Sequence, residues 1–313
     1  MTMKRFFTNI LLFVIIFAIL DVVAICVLGG NASFDITYYR KVTWGHLFSR
    51  TKDIPNHKNP DILFLGSSHA YRSFDGRIFE RSGITTFNLG SSNQTPIQTE
   101  VLLKKYIDEI KPKHIVFEVY PTLFEIDGVE STSDLISNDH IDFETCKLAV
   151  KSGNIKLINT LIYGLYMEYC RDEREKFVEE TVNCGDKYVS GGYVERIEYT
   201  PFVSDGSIEH TKIQILPKQL RAFGNCVRIV KERQIPYILV IAPLPKTIYK
   251  GFDNIDEFDQ TMSSYGKLID FNKILHFDDS CFYDADHLTQ KGVETFDSCF
   301  IECLDSLKTQ GDF

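Results

Sequence analysis

Short apolar runs alternate with longer amphipathic segments along much of this 313-residue chain. Apolar runs of strand length occupy residues 62–65, 85–89, 114–119, 235–241 and either 268–271 or 274–277. Apolar residues recur at helical spacing in residues 96–110, 217–233 and 289–307. Thr95 before Pro96 is typical of a helix start. Strands that alternate with helices predict an α/β fold with a parallel sheet, because each connection between parallel strands needs a helical crossover.

The longest apolar run lies at the N-terminus. Lys4 and Arg5 precede the apolar residues 6–28, which are long enough to cross a bilayer as a helix. The positive pair predicts a cytoplasmic N-terminus, with the chain from about residue 30 outside the cytoplasm. Gly30-Asn31-Ala32 is also compatible with signal cleavage, which would leave a secreted or periplasmic protein. We expect a single-pass cell-membrane protein, with the cleaved form as the alternative.

The pattern divides the chain into segments. Residues 1–30 form the predicted transmembrane anchor, and residues 31–59 are typical of a juxtamembrane linker. Residues 60–313 carry the pattern of one α/β catalytic domain, except at about 125–216, where the alternation stops. A structureless loop of that length is unusual in a compact domain. Because residues 143–169 have helical spacing, we expect a partly helical insertion that caps the active-site edge of the sheet.

Charge and cysteine spacing exclude two classes of function. The net charge is −9 and no block of Lys and Arg occurs, so no nucleic-acid partner is expected. The eight cysteines lack metal-ligand spacing, so we expect buried thiols, with no metal and no cofactor. A disulfide among Cys170, Cys184, Cys226 and Cys281 stays open, because the sequence cannot pair them.

The candidate nucleophile follows the first predicted strand. Gly66-Ser67-Ser68 forms a tight turn directly after residues 62–65. A serine on such a turn can present its hydroxyl to solvent, and loops after parallel strands meet at one edge of the sheet. We assign the nucleophile to Ser68, with Ser67 as the competitor. The alternative is a polar turn that carries no chemistry.

A carboxylate and a histidine lie three residues apart near the C-terminus, in Asp284-Ala285-Asp286-His287. His287 can take a hydroxyl proton while Asp284 orients and stabilises the imidazolium, which is how a serine is activated. Asp286 could replace Asp284, or the two carboxylates could bind a cation. The alternative is a loop that caps the following helix. Together with Ser68, the motif favours acyl transfer or ester hydrolysis.

In this combination the chain resembles the SGNH (GDSL-like) hydrolase superfamily over roughly residues 60–124 and 217–307. Gly66-Ser67-Ser68 is similar to the first block of that family, with serine in place of its usual aspartate. Asn88-Leu89-Gly90 is similar to the second block, and residues 284–287 to the last. The resemblance implies a three-layer α/β/α fold with a five-stranded parallel sheet.

The resemblance also implies roles for single residues. Ser68 is the nucleophile, His287 the base and Asp284 its partner, and the N–H groups of Ser68 and Gly90 form the oxyanion hole. The family's third block, Gly-x-Asn-Asp, is absent, and with it the asparagine that completes this hole. Asn93 is the candidate replacement, and its alternative is a simple turn residue. One oxyanion donor is worth about 10²–10³ in turnover.

The pattern is closest to one branch: membrane-anchored proteins of surface-polymer modification, such as the alginate acetylation and DltD-type proteins. The shared features are the N-terminal span, the Gly-Ser-Ser-His start and the Asp-x-x-His-Leu end. This likeness implies a polysaccharide or other surface-polymer acceptor and an acyl donor delivered through a membrane-bound O-acyltransferase partner. His69, Arg72 and Tyr120 are candidates for substrate binding. Their alternatives are a solvated Arg72–Asp75 pair at a helix start and a packing role for Tyr120.

Three functions follow from these observations. The first is an extracytoplasmic O-acyltransferase that moves an acetyl or similar group to a surface polysaccharide through acyl-Ser68. The second is a carbohydrate esterase or deacetylase of the same fold. The third is a non-catalytic glycan-binding accessory protein, which the absent third block and Asp21 within the span favour. The presence of Ser68, Asp284 and His287 favours an enzyme, and an insertion that excludes water favours transfer.

Overall fold

The computed structural model of the protein describes residues 3–41 and 45–310. Residues 1–2, 42–44 and 311–313 lie outside this part of the chain, and three of them, 42–44, fall within the predicted linker. The chain divides into two compact units. In the described part, the first unit comprises residues 3–41 and 132–178, and the second comprises residues 45–131 and 179–310.

The second unit is built on a five-stranded parallel sheet. The strands are β1 (Ile62–Leu65), β2 (Thr86–Asn88), β3 (His114–Glu118), β4 (Val182–Asn183), β5 (Asp186–Val189), β6 (Tyr193–Arg196), β7 (Tyr237–Ile241) and β8 (Leu268–Asp270). Strands β2, β1, β3, β7 and β8 pair in this order, and every pair is parallel. Their apolar residues are mostly buried, because helices cover both faces of the sheet. The predicted five-stranded parallel sheet is confirmed.

The helices are α1 (Met3–Leu28), α2 (Leu47–Asp53), α3 (Ser68–Ser73), α4 (Gly76–Arg81), α5 (Pro96–Ile110), α6 (Val129–Asn138), α7 (Phe143–Lys151), α8 (Ile155–Leu165), α9 (Glu173–Lys176), α10 (Pro217–Glu232), α11 (Lys246–Gly251), α12 (Ile255–Ser263) and α13 (Gln290–Gln310). On one face of the sheet, the ring of Phe117 in β3 contacts Phe223 in α10, with centroids 5.6 Å apart. On the other face, Phe64 of β1 stacks on Phe74 at 4.1 Å and contacts Phe300 of α13. Helices on both faces confirm the predicted three-layer α/β/α fold.

The boundaries of α5 agree with the sequence pattern. Thr95 and Gln98 form a capping box, in which the Gln98 side chain accepts from the Thr95 N–H at 3.2 Å. Pro96 occupies the first helical position, where its missing N–H costs nothing. Local sequence therefore defines the start of this helix.

The structure decides the position of β8, the fifth predicted strand, and the first residue of β7, the fourth predicted strand. The fifth strand is Leu268–Asp270, so the alternative at 274–277 is wrong. Ile274 is instead 52 % exposed and lies in a turn, where its N–H donates to the Phe271 carbonyl. Strand β7 begins at Tyr237, two residues after the predicted start, since Pro236 has no N–H to donate to the ladder.

The alternation stops at about residue 125, as the pattern indicates, but the following segment is not all helical. In the first unit, α7, α8 and a π-helical turn at Tyr166–Cys170 account for the predicted helical spacing of residues 143–169. In the second unit, β4, β5 and β6 form an antiparallel sheet that the pattern did not predict. That residues 125–216 act as a cap stays a prediction.

The small antiparallel sheet packs beside the end of β2. The N–H of Asn88 donates to the carbonyl of Gly191 at 2.8 Å. Gly192 has φ +95°, and a Cβ at this position would lie 2.2 Å from the carbonyl oxygen of Asn88. Only glycine fits such an approach. Strand β6 also contacts α3, so this sheet lies next to the helix that begins at Ser68.

Helix α1 is long and apolar enough to cross a membrane, with a mean hydropathy of 3.3 in an 18-residue window. A signal sequence near the N-terminus satisfies the same description. Most of the helix is exposed, but Ile25 near its end is 2 % exposed. Within the first unit, Gly29 and Gly30 then pack closely against the ring of Tyr163 in α8.

The four cysteines considered for a disulfide are free thiols in the structure. Cys170 and Cys184 are exposed, Cys281 is partly buried and Cys226 is fully buried. Burial raises the pKa of the Cys226 thiol well above its usual value. Cys226 therefore behaves as a small apolar side chain.

Candidate active site

The candidate nucleophile lies on a turn that leads from β1 into α3. Gly66 has φ +153°, and a Cβ there would lie 2.8 Å from the side chain of Glu118. Ser67 is the N-cap of α3, which begins at Ser68. The turn places Ser68 at the carboxyl edge of the parallel sheet, where sites of α/β proteins form.

Ser68, His287 and Asp284 lie in one hydrogen-bonded relay. His287 Nε2 is 2.8 Å from Ser68 Oγ. His287 Nδ1 is 3.0 Å and 2.9 Å from the two carboxylate oxygens of Asp284. If Nδ1–H donates to Asp284, Nε2 is left to accept the proton of the Ser68 hydroxyl. The three residues predicted from separate motifs therefore meet, with the geometry that general-base activation of a serine requires.

The loop around Asp284 holds its carboxylate in place. Asp284 Oδ1 accepts from the N–H groups of Asp286 at 2.8 Å and His287 at 2.7 Å. Burial raises the pKa of Asp284, but the hydrogen bonds from His287 and from the backbone outweigh it and bring the pKa below its usual value. Asp284 is therefore a carboxylate at neutral pH and can stabilise a protonated His287.

The competitor, Ser67, has a different environment. Its side chain is 1 % exposed, and its hydroxyl donates to Oε2 of Glu118 at 3.2 Å. Its Oγ also accepts from the N–H of His69. The Ser67 hydroxyl is thus committed to the turn, and Ser68 is the serine in contact with His287.

Asp286, the alternative partner of the histidine, points elsewhere. Its Oδ1 accepts from the hydroxyl of Tyr120 at 3.0 Å. Burial is the largest cause that raises the pKa of Tyr120, followed by the neighbouring carboxylate of Asp286. Tyr120 lies at the end of β3 and lines the same pocket as Ser68. Its predicted binding role and its packing role are both compatible with this position.

His69 packs against the catalytic histidine candidate. Its ring is 4.0 Å from that of Tyr120 and 5.2 Å from that of His287, between centroids. Burial, and then the proximity of His287, lower the pKa of His69 well below its usual value. His69 is therefore a neutral ring at neutral pH that supports the orientation of His287.

Arg72 is buried and paired, which corrects one of the two interpretations of this residue. Its guanidinium donates to both carboxylate oxygens of Asp186, at 2.9 Å and 2.7 Å. Asp75 instead caps α4 and pairs with Arg77 at 2.7 Å. The interpretation of Arg72 and Asp75 as a solvated pair is wrong, because both side chains are buried and have other partners. Arg72 still lines the pocket, so its predicted contact with substrate stays a prediction.

Two of the three predicted oxyanion donors, Gly90 and Asn93, already have hydrogen-bond acceptors. The N–H of Gly90 donates to the side chain of Asn88 at 3.0 Å. The side-chain amide of Asn93 donates to Glu130 at 2.8 Å, and Asn93 has the left-handed φ of a turn residue, +48°. The N–H of Ser68 lies in the first turn of α3, where backbone N–H groups lack an acceptor within the helix.

A pocket of about 480 Å³ opens in front of Ser68 and His287. Four tyrosines contribute to its walls: Tyr71, Tyr120, Tyr199 and Tyr283. Arg72 and Arg196 line it together with the carboxylates of Glu130, Asp284 and Asp286. Pockets of about 300–1,000 Å³ with a few placed polar groups are typical of small-molecule sites.

Sequence reasoning missed three residues of the site. Glu118 lies under the nucleophile turn, and burial raises its pKa to about 8. The sequence signal for Glu118 was an acidic residue at the end of a buried apolar strand. Arg196 in β6 lines the pocket, and Asp186 in β5 pairs with Arg72, which lines it; both lie more than a hundred residues from Ser68 along the chain. No local motif marks them.

The comparisons with known proteins give limited likenesses. No protein-family model and no curated protein matches the sequence. The chain is similar to the crystal structure of a putative acylhydrolase from Bacteroides fragilis, with 10 % identity, a TM-score of 0.40, and coverage of 85 % of this chain and 99 % of the other. It is similar to a GDSL-like lipase from Bacteroides thetaiotaomicron, with 9 % identity, a TM-score of 0.40, and coverage of 84 % and 99 %. At this level of similarity, the chemistry of this chain has to be argued from the residues of its own site.

Proposed function

We propose that this chain is an SGNH-type O-acyltransferase, anchored in the cell membrane with its catalytic unit outside the cytoplasm. It moves an acetyl or similar acyl group to a surface polysaccharide through an acyl-Ser68 intermediate. The observation that carries the proposal is the relay from Ser68 Oγ to His287 Nε2, 2.8 Å, and from His287 Nδ1 to Asp284, 2.9 Å, in front of an open pocket.

In the first half-reaction, Ser68 Oγ attacks the acyl carbonyl of the donor while its proton passes to His287 Nε2. Asp284 stabilises the imidazolium through Nδ1. The bond between the acyl carbon and the donor's leaving oxygen breaks, and His287 returns the proton to that oxygen. The product is an ester on Ser68.

In the second half-reaction, an acceptor hydroxyl attacks the acyl-Ser68 carbonyl and gives its proton to His287. The bond to Ser68 Oγ breaks, and Oγ takes the proton back. A sugar hydroxyl as acceptor makes the protein a transferase, and water makes it an esterase or deacetylase. The pocket is larger than an acetyl group needs, which supports space for an acceptor beside the acyl group.

Retention of α1 as an anchor has two supports. Residues 6–23 are exposed, and as a helix they span about 27 Å at 1.5 Å per residue, close to a hydrocarbon core of roughly 30 Å. Beyond them, Ile25 is buried, Gly29 packs against Tyr163, and the Thr37 hydroxyl donates to the Gly29 carbonyl. Signal cleavage at about residue 30 would remove contacts that belong to the first unit.

The surface polymer and a membrane-bound O-acyltransferase that delivers the acyl group are part of the proposal. They rest on the motif resemblance and on the N-terminal span. A polymer acceptor outside the cytoplasm requires an acyl donor that reaches the same side of the membrane. A membrane partner is the simplest supplier for a catalytic unit tethered by one helix.

The oxyanion donors favour a second candidate function. The N–H of Gly90 donates to Asn88, and the side-chain amide of Asn93 donates to Glu130 in the wall of the pocket, so both already have an acceptor. A site with one remaining donor, the Ser68 N–H, would lose about 10²–10³ in turnover for each missing donor. This arrangement favours a non-catalytic glycan-binding accessory protein.

One experiment separates the three functions. The full-length protein in detergent micelles is incubated with p-nitrophenyl acetate, with and without oligosaccharides, and followed by intact mass and product analysis. Ser68→Ala is the test variant, and Ser82→Ala, an exposed serine at the end of α4, is the matched control. An acetyl adduct on Ser68 that passes to sugar supports transfer, and one that passes only to water supports the esterase. No adduct with p-nitrophenyl acetate or with longer p-nitrophenyl acyl esters supports the accessory protein.

A further inference from the structure

Three aromatic rings form a row that leads outward from the relay. The ring of Tyr283 stacks nearly parallel to that of His287, with centroids 5.6 Å apart and planes 13° apart. The ring of Tyr199 follows at 5.9 Å from Tyr283. All three side chains line the pocket, and Tyr199 is 44 % exposed. An open aromatic ring therefore stands two rings away from the atom that takes the acceptor proton.

Arg196 lies beside this row. Its guanidinium is 5.9 Å from the centre of the Tyr283 ring. Within the described residues its Nη1 donates to the Cys184 carbonyl at 2.6 Å and to Asp186 at 3.1 Å, while its buried Nε has no partner. The Nε is buried and out of reach of a ligand, but Nη2 makes no hydrogen bond among the described residues, so its two N–H groups remain for a ligand in the pocket that Arg196 lines.

The inner part of Tyr283 is held from several sides. Arg72 and Arg196 lie 5.9 Å from its ring centre, and His287 covers one face. Tyr283 therefore positions the rings on either side of it, and Tyr199 is the member of the row with an open face. A pyranose ring has one face of C–H groups, which packs on an aromatic ring, and an edge of hydroxyls, which need hydrogen-bond donors and acceptors.

We infer that Tyr199 and Arg196 form the acceptor subsite of this pocket, where Tyr199 stacks a sugar ring and Arg196 donates to its hydroxyls. The inference rests on the proposed function, since it assigns the acceptor of that same site as a glycan. A glycan seated there directs one hydroxyl toward acyl-Ser68, along the row of Tyr283 and His287. Attack by that hydroxyl gives its proton to His287 Nε2, and the acyl group leaves Ser68 as a sugar ester.

The first arm of the test measures binding without catalysis. Full-length Ser68→Ala protein in micelles is titrated with cellohexaose and with a galacturonic acid hexamer, which differ in charge. We expect binding of at least one hexamer, and a Kd about tenfold weaker when Tyr199→Ala is added, because the stacked ring is lost. Tyr199→Phe, which keeps the ring, stays within about twofold. Tyr106→Ala, on α5 and outside the pocket, is the matched control.

The second arm measures the fate of the acyl group in protein with Ser68 intact. After loading with p-nitrophenyl acetate, the ratio of acetylated hexamer to free acetate is compared between Tyr199→Ala and Tyr199→Phe. A tenfold lower ratio for Tyr199→Ala alone supports the subsite. Arg196→Lys, which keeps the charge but loses the planar set of donors, should lower the ratio as well.

The outcomes distinguish this inference from the proposed function. If neither hexamer binds, or if Tyr199→Ala binds both as tightly as its parent, the subsite is wrong even when Ser68 is acetylated. If the hexamer binds through Tyr199 but no acetyl adduct forms, the subsite stands and the acyltransferase proposal fails. That second result would make the protein a glycan-binding accessory.

Discussion

The hydroxyl and the N–H of Ser67 both donate to one oxygen of Glu118, Oε2, at 3.2 Å and 3.3 Å. Glu118 ends β3 and lies under the turn that presents Ser68. Its other oxygen, Oε1, is buried and has no partner among the described residues. The turn of the nucleophile thus rests on a buried carboxyl group.

Glu118 should make stability depend on pH. Burial raises its pKa to about 8 in the folded protein, above the value of 4.5 expected when unfolded. Between those pH values the folded state binds more protons than the unfolded state. The contribution of Glu118 to the free energy of unfolding is therefore complete below about pH 4.5 and is lost as the pH rises toward 8. Glu118→Gln removes this titration, and we expect a flatter curve of urea midpoint against pH from 5 to 8. Burial also raises the pKa of Asp297, but its contribution is the same in both proteins and cancels when the curve of the variant is subtracted from that of the parent. Parallel curves for the variant and the parent would contradict this role of Glu118.

Removing the relay should abolish acyl chemistry. Ser68→Ala and His287→Ala should each lower turnover of p-nitrophenyl acetate to background, because neither variant can form an acyl-serine by this route. Asp284→Asn should lower it by about 10⁴-fold, since the amide cannot hold the imidazolium. Circular dichroism and urea midpoints serve as the folding control. Full activity of any one of the first two variants would show that the site is elsewhere.

The ion pair of Arg72 with Asp186 should be costly to break from one side. Asp186→Ala leaves the buried guanidinium of Arg72 without its carboxylate, and we expect a loss of about 3–5 kcal/mol. Glu100→Ala, which breaks the partly exposed pair with Lys104, is the matched control and should cost within about 1 kcal/mol. Chemical denaturation followed by circular dichroism measures both. Equal midpoints for the two variants would contradict a structural role of the buried pair.

Alanine substitutions at Gly83 and Gly66 compare the cost of a positive φ alone with the cost of an added steric contact. Gly83 has φ +74° and open space where a Cβ would lie, so Gly83→Ala should cost only about 1 kcal/mol. Gly66→Ala adds a contact of 2.8 Å with Glu118, so we expect a larger loss of stability and loss of esterase activity. Activity of Gly66→Ala close to that of Gly83→Ala would show that the turn tolerates displacement.

If α1 is retained, the purified membrane-bound protein should have the mass of the uncleaved chain. The protein should also resist extraction by alkaline carbonate, because an apolar helix of this length stays in the bilayer. Intact mass spectrometry of protein extracted with detergent from its membrane makes the measurement. If the protein is in the soluble fraction and its mass is that of a chain starting at about residue 31, the result would support signal cleavage.

The amino-acid sequence by itself determined the layered sheet, the membrane-length helix and the identity of the relay candidates. Buried parallel strands are continuous apolar runs, and helices repeat apolar residues at their own period, so both are visible locally. Gly66-Ser67-Ser68 and Asp284–His287 are also short motifs, which need no long-range information. Even the start of α5 followed from Thr95, Pro96 and Gln98 alone.

Only the tertiary structure decided which of these groups meet and how each is charged. The sequence assigned Ser68 and Asp284 but left Ser67 and Asp286 open as alternatives, and it is the structure that gives Ser67 a contact with Glu118 and Asp286 a contact with Tyr120. Arg72 changed from a solvated residue to a buried one because β5 brings Asp186 to it from 114 positions away. Burial and pairing depend on side chains that are distant in sequence, and no local pattern records them.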